Sequence, residues 1–330
     1  MANLLEVIKI SLSIVAGIGG VVALVVAYRK QRLTEDGEKR EQAKLYIERF
    51  DKATDKLGHD SPAVRLAGIH ALAALADDWE GERQMCIDVL CAYVRIPAEP
   101  EPEDEDEPAA VAAWKGITEV RATAVREIAS RLRADASVPW HGYNFDFTGA
   151  TFNSGPDFTG AVFSGGRVSF DDAEFDGGET FFREAQFSGA LVSFVGARFT
   201  RADLFFESAT FSAGEVLFTH LERVPHIFFT DVTFSGGRVS FAASEFSRGG
   251  ITFNRARFSG GEVHLRPAYF PDNGHLTLDF SRVASWDVPP LLPEGSYPTI
   301  IFPPEAQTPR EKPGDPAART QPGLQGEDHV

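Results

Sequence analysis

Few side chains in this chain have a type and spacing that could do chemistry. Asp171 and Asp172 are adjacent carboxylates, a pairing that can serve proton transfer or hold a cation, but they stand together on a stretch expected to face solvent. His141, His220, His226, His264 and His275 follow no metal-ligand spacing,. Cys86 and Cys91 lie five residues apart on one expected helix, a poor geometry for a disulfide and too few ligands for a metal. The Gly-Gly pairs recur with a repeat, which makes them corners rather than phosphate cradles, and no Gly-Lys-Ser/Thr loop, zinc-protease helix or nucleophile elbow is present,. The sequence therefore names no catalytic residue, no metal ligand and no cofactor, and a non-enzyme is expected. An enzyme of unknown class would need a concave pocket that brings perturbed carboxylates or histidines together in space.

The elements that would position such groups are marked out by phenylalanine. Of 27 Phe, 25 lie between 145 and 280. Phe170 and Phe175, Phe182 and Phe187, Phe194 and Phe199, and Phe206 and Phe211 show the spacing: gaps of five and seven residues alternate, so the period is twelve. A fixed period of this kind predicts a stacked solenoid. Ala173, Ala185, Ala197 and Ala209 stand two before each second Phe, while Val168, Leu204, Val216, Ile227, Val239 and Ile251 stand two before a first Phe. This alternation is a strand signal that sends large and small apolar side chains inward together. Ser164-Gly165-Gly166, Asp176-Gly177-Gly178, Ser235-Gly236-Gly237 and Ser259-Gly260-Gly261 punctuate the fragments, supplying the backbone freedom a tight corner needs,.

These residues resemble the pentapeptide-repeat family, in which Leu or Phe centres each short side of the coil and a small residue stands two before it. Ala202-Asp203-Leu204 reproduces the family's Ala-Asp-Leu signature, out of register with the flanking Phe pairs. The resemblance implies a mainly β solenoid, a right-handed quadrilateral β-helix. The seven-residue steps depart from the family pattern by a Gly-Gly insertion, so the expected coil holds two twelve-residue repeats, 24 residues in all. A flattened coil with one repeat per turn is the alternative. After Phe218 the expected ring position holds Arg223, followed by Val224 and Pro225; a charge cannot replace a core ring without a partner, so a bulge or kink is expected there.

The solenoid needs covered ends, because unpaired strand edges invite aggregation. Between Pro108 and Arg133, residues Ile117, Val120, Ala124, Ile128 and Leu132 form one apolar helical stripe that can serve as a lid,. At the far end Leu276, Leu278, Phe280 and Trp286 are expected to close the last coil. Upstream, Ala43, Ile47, Phe50 and Leu57 mark an amphipathic helix, Ser61-Pro62 opens a HEAT-type helix, and Met85, Cys86, Val89, Leu90 and Tyr93 line another,.

Ile10 to Tyr28 carries no charge and is long enough to cross a bilayer as a helix,. Glu6 beside Lys9, and the lack of a convincing small-x-small cleavage site, favour an anchor over a cleaved signal peptide,. Arg29, Lys30 and Arg32 follow the span, which by the positive-inside rule places the rest of the chain in the cytoplasm,. A single-pass cell-membrane protein with the lipid bilayer as one partner is expected. Ser13 and Gly17, and Ala16 and Gly20, permit close helix pairing and hence a homodimer,.

The expected organisation is an anchor over 1–32, a helical module over 33–97, an acidic proline-containing linker over 98–109, a capping helix within 110–140, the solenoid over 141–288 and a proline-rich disordered tail over 289–330. A net charge of −16 argues against nucleic acid as a partner,. The principal expectation is a membrane-anchored, non-enzymatic scaffold that presents a β-helix to an unidentified protein. Some pentapeptide-repeat proteins mimic DNA and bind topoisomerases, and this acidic chain could resemble them; arginines interspersed among its acids weaken that alternative.

Overall fold

The computed structural model describes residues 27–32, 37–97, 102, 108–221, 226–244, 250–265, 277–292 and 299–302. All of the proposed membrane span but its last two residues, its small-residue pairs, Arg223, His275, Leu276 and residues 303–330 lie outside the described residues. Among those described, no helix is long and apolar enough to cross a membrane.

The described residues between 145 and 301 wind as a β-solenoid of about five turns. Its short strands pair in parallel with the strand one coil later. Phe163 pairs with Phe187, Phe187 with Phe211, and Phe234 with Phe258, each 24 residues on. Two twelve-residue repeats therefore make one coil, and the flattened alternative is excluded. Where a spacing loses one residue the coil absorbs it: Phe145 pairs with Val168 and Phe211 with Phe234, both 23 residues on.

The rings rise in four columns. Phe147, Phe170, Phe194, Phe218 and Phe241 stack at 4.8–5.2 Å between centroids. Phe158, Phe182, Phe206, Phe229, Phe253 and Phe280 stack at 4.6–5.3 Å. A third column runs from Phe163 to Phe258 and ends under Trp286. The fourth holds Phe152, Phe175 and Phe199; the position that would continue it is 223. The other three columns run past that position, and the coil crossing it is one residue short, with Leu204 paired to Ile227. Ring spacing near the strand spacing of about 4.8 Å lets every rung add one layer of aromatic contact.

The corners differ from expectation in an informative way. Gly-Gly accounts for only part of them. Ala173 donates its N–H to the Phe170 carbonyl, Ala185 to Phe182 and Ala209 to Phe206, so each first Phe opens a four-residue turn. The third turn residue is left-handed: Asp172, Glu184, Ser208, Asp231, Ala243 and Arg255 all have φ of 55–59°. This is the type II turn, which favours Gly at that position. Only Gly149, Gly160 and Gly196 supply it there. Closure of the stack makes up for the strain, since Asp172 N–H also donates to the Val195 carbonyl of the next coil and Asp231 N–H to Asn254,.

Among the described residues, helix covers 27–32 and then α1 (residues 37–57), α2 (Pro62–Asp78), α3 (Arg83–Arg95) and α4 (Pro108–Leu132) ahead of the solenoid. α1 turns Phe50 and Leu57 inward as the sequence reading expects, but leaves Ala43 and Ile47 exposed. Ile47 is 52% exposed, whereas Tyr46 stacks on Trp79 and Ala53 and Leu57 are buried. Positions 46, 50, 53 and 57 follow the helical period, and the aromatic stack with Trp79 selects them. Gly68 of α2 lets α1 approach, since a Cβ there would stand 3.0 Å from the Ala53 carbonyl oxygen. Ser61 starts α2 with Pro62 in its first turn, but its side chain makes no capping bond.

The helical module is not a spacer held apart from the rod. Its buried residues and those of the solenoid form one continuous core, from Ala53 through Val120 and Trp140 to Phe280. At the opposite end the solenoid extends beyond the expected boundary at 288. Thr299–Ile301 pairs with Thr277–Asp279 as a further rung, because Ile300 restores the inward apolar residue opposite Leu278.

Candidate functional site

The chemistry-bearing residues singled out in the sequence are dispersed over the rod. Asp171 accepts hydrogen bonds from Ser193 Oγ, from Val195 N–H at 3.0 Å and from Arg167 at 2.7 Å. It splices two coils together. Asp172 occupies a left-handed turn. His220 does the same, His141 bonds the Leu132 carbonyl, and His264 pairs with Glu262 at 3.0 Å. Among the described residues, no three of the His, Cys, Asp and Glu groups gather as a metal site. Cys86 and Cys91 are buried free thiols, which burial pushes up to about 11 and about 12.

The outer faces carry a different pattern, of charges paired between coils. Arg201 bonds Asp176 at 2.9 Å, Arg183 meets Glu207 at 2.6 Å, and Asp231 binds Arg255. Arg238 stands between Glu215 and Glu262 at 3.8 and 3.7 Å. Acidic side chains in these ladders are offset by arginines one coil away. On one side the outward positions are aromatic: Phe205 stacks on Phe228 at 4.7 Å, and the Arg183 guanidinium lies 3.9 Å from the Phe181 ring centre, a cation–π contact.

Polar groups converge most densely at the joint between helices and solenoid. Asp77, at the end of α2, receives Arg131 of α4 at 2.7–3.0 Å and the Trp140 indole N–H at 2.9 Å. Arg131 also bonds Glu127, whose other oxygen stands 3.1 Å from His70. Arg83 is buried and donates to the carbonyls of Ala76 and Asp77, closing the C-terminus of α2. Arg95 reaches Asp146 of the first coil at 2.6 Å. Helix C-termini leave carbonyls unpaired and carry partial negative charge, so cationic donors fit there.

Arg121 performs the same task for α3, with a difference. It is 6% exposed and donates to the carbonyls of Ile96, of Val94 at 2.7 Å and of Thr151 at 2.9 Å. No carboxylate pairs with it among the described residues. It lines a cavity of about 230 Å³ between α4, the end of α3 and the first-coil loop 153–157. Burial pushes its guanidinium below the ordinary arginine value, and the Tyr93 phenol acts in the other direction.

Sequence reasoning missed this joint. One signal was present: Arg121 falls between Val120 and Ala124 on the helical stripe of α4, and a cation inside an apolar stripe must find buried acceptors. Comparison with protein-family models, with curated proteins and with solved structures finds no match to this chain.

Proposed function

We propose that this chain is a membrane-anchored, cytoplasmic, non-enzymatic scaffold that offers the flat sides of its solenoid to a protein partner. The reading draws most support from the ring-filled interior. Four Phe columns occupy the lumen of the coil, so recognition falls to the outer faces. Those faces are stiffened by rung-to-rung ion pairs, and pre-ordered surfaces lose little entropy when they bind. The helical module shares its core with the rod, which transmits the position of a preceding anchor to the binding surface. The pentapeptide-repeat resemblance fits this architecture: coils of 24 residues with regular Phe spacing.

The test is crosslinking of the full chain in intact cells, with sedimentation of membranes in parallel. The expected result is a specific crosslinked protein and membrane retention that resists alkaline extraction and disappears when residues 1–28 are deleted. Recovery of the full chain in the soluble fraction would refute the anchor. Retained crosslinking after charge reversal on every face of the solenoid would refute the docking role.

A further inference from the structure

We propose that the cavity at the helix–solenoid joint binds a small organic anion, a carboxylate carried on a flat apolar body, with Arg121 as its counter-charge. Val125, Phe152 and Pro156 give the cavity an apolar wall, and Asn153, Ser154 and Arg121 supply polar groups. A mostly apolar pocket with a few convergent polar groups is the usual form of a small-molecule site. An apolar cavity of about 150 Å³ holds a benzene ring; this one, at about 230 Å³, has room for a ring and a carboxylate.

The charge of the ligand follows from Arg121. A guanidinium has five N–H donors, and the three carbonyl bonds leave two of them for a ligand. Among the described residues its positive charge is buried against backbone carbonyls with no carboxylate beside it, the situation that an incoming anion relieves. The other charges on the wall do not supply that anion. Arg126 is exposed and already bonded to Glu119. Asp157 is exposed, with one oxygen committed to the Thr159 N–H of its own turn. Loop 153–157 is held in shape from the coil above: a Cβ at Gly155 would stand 1.8 Å from the Glu179 carbonyl oxygen, and Phe181 N–H donates to the Pro156 carbonyl at 3.1 Å. The wall facing Arg121 is therefore built before any ligand arrives.

The experiment is calorimetric titration of the full-length protein with benzoate, benzamide and inorganic phosphate. Benzoate is expected to bind at one site per chain, and benzamide, equal in shape but neutral, about tenfold or more weakly. Phosphate, which lacks an apolar body, is expected to bind no better than benzamide. Ala122 lines the cavity, so Ala122→Phe fills it while sparing Arg121, and should abolish benzoate binding without lowering the thermal midpoint by more than a few degrees. Arg121→Gln, with folding checked by circular dichroism, should remove the preference for benzoate over benzamide. The proposal is overturned by equal affinity for benzoate and benzamide, by tighter binding of phosphate, by no saturable benzoate binding, or by benzoate binding that survives Ala122→Phe.

Discussion

Phe187 and Phe211, one coil apart, face each other at 4.5 Å between ring centres with 2° between their planes. Each is 2% exposed. Replacing Phe187 by Ala empties a layer of the column and severs contacts above and below, at a cost of about 3–5 kcal/mol. Phe187→Leu keeps most of the volume and should cost less than about 1.5 kcal/mol. Phe302, 38% exposed at the last rung, gives the contrast: Phe302→Ala should cost only about 1–2 kcal/mol, because more than a third of the transfer energy is never gained and, among the described residues, no layer above it is severed. Denaturant unfolding of the three variants orders them. Equal losses at Phe187 and Phe302 would contradict a stacked interior.

The type II corners predict opposite signs for two glycine changes. Ala243 holds φ of 55° at the third turn position. Ala243→Gly should raise stability by a few tenths to about 1 kcal/mol, because relief of left-handed strain outweighs the added unfolded-state entropy. Gly149 has φ of 69° with nothing near its missing side chain, so Gly149→Ala should cost only that strain, about 1 kcal/mol. Gly155→Ala meets backbone at 1.8 Å and should cost several times more. Melting curves that rank Gly149→Ala as the worse variant would contradict this packing.

The solenoid was legible because its signal is written once per repeat: period, inward rings and small corner residues all recur, and 24-residue pairing follows once the core must close. The turns were half legible. Gly-Gly announces a positive φ, whereas Glu184 or Arg255 in the same conformation does not, since there stacked backbone hydrogen bonds rather than residue type dictate the geometry. The joint was illegible for a related reason. Asp77 lies 54 residues from Arg131 and 63 from Trp140, and no local period connects them. Ile47 looked like core because it is apolar and correctly spaced; Tyr46 took its place through Trp79, a neighbour that only the fold supplies.

The buried thiols predict an alkaline limb of the stability curve. Burial raises Cys86 to about 11 and Cys91 to about 12, whereas an unfolded thiol ionises near about 8.5. Above that value the unfolded chain releases protons that the folded chain retains, so stability falls as pH rises. The contribution is complete below about pH 8.5 and is lost progressively toward the folded values. Cys86→Ala should flatten the decline in denaturation midpoint between neutral and alkaline pH, and native protein at pH 8 should react with a thiol reagent only as fast as it opens. Rapid stoichiometric labelling of both thiols under native conditions would show that they are not interior.

Asp77 ties the helical cap to the rod, and its removal should loosen both. Its carboxylate and the Arg131 guanidinium are 22% and 17% exposed, sheltered enough that an orphaned partner is not rescued by water. Asp77→Ala leaves Arg131 with Glu127 as its one carboxylate and strands the buried Trp140 indole N–H, for a loss of about 2–3 kcal/mol. Asp77→Asn retains an acceptor for the indole while removing the charge, and should lose about half as much. In a double-mutant cycle with Arg131→Met, the two losses should fall short of additivity by about 1–2 kcal/mol. Because cap and rod share one core, the Asp77→Ala protein should still unfold in a single transition, with tryptophan fluorescence and far-ultraviolet dichroism changing together. Two separated transitions would mean that the helices and the solenoid are independent folding units joined only at their surfaces.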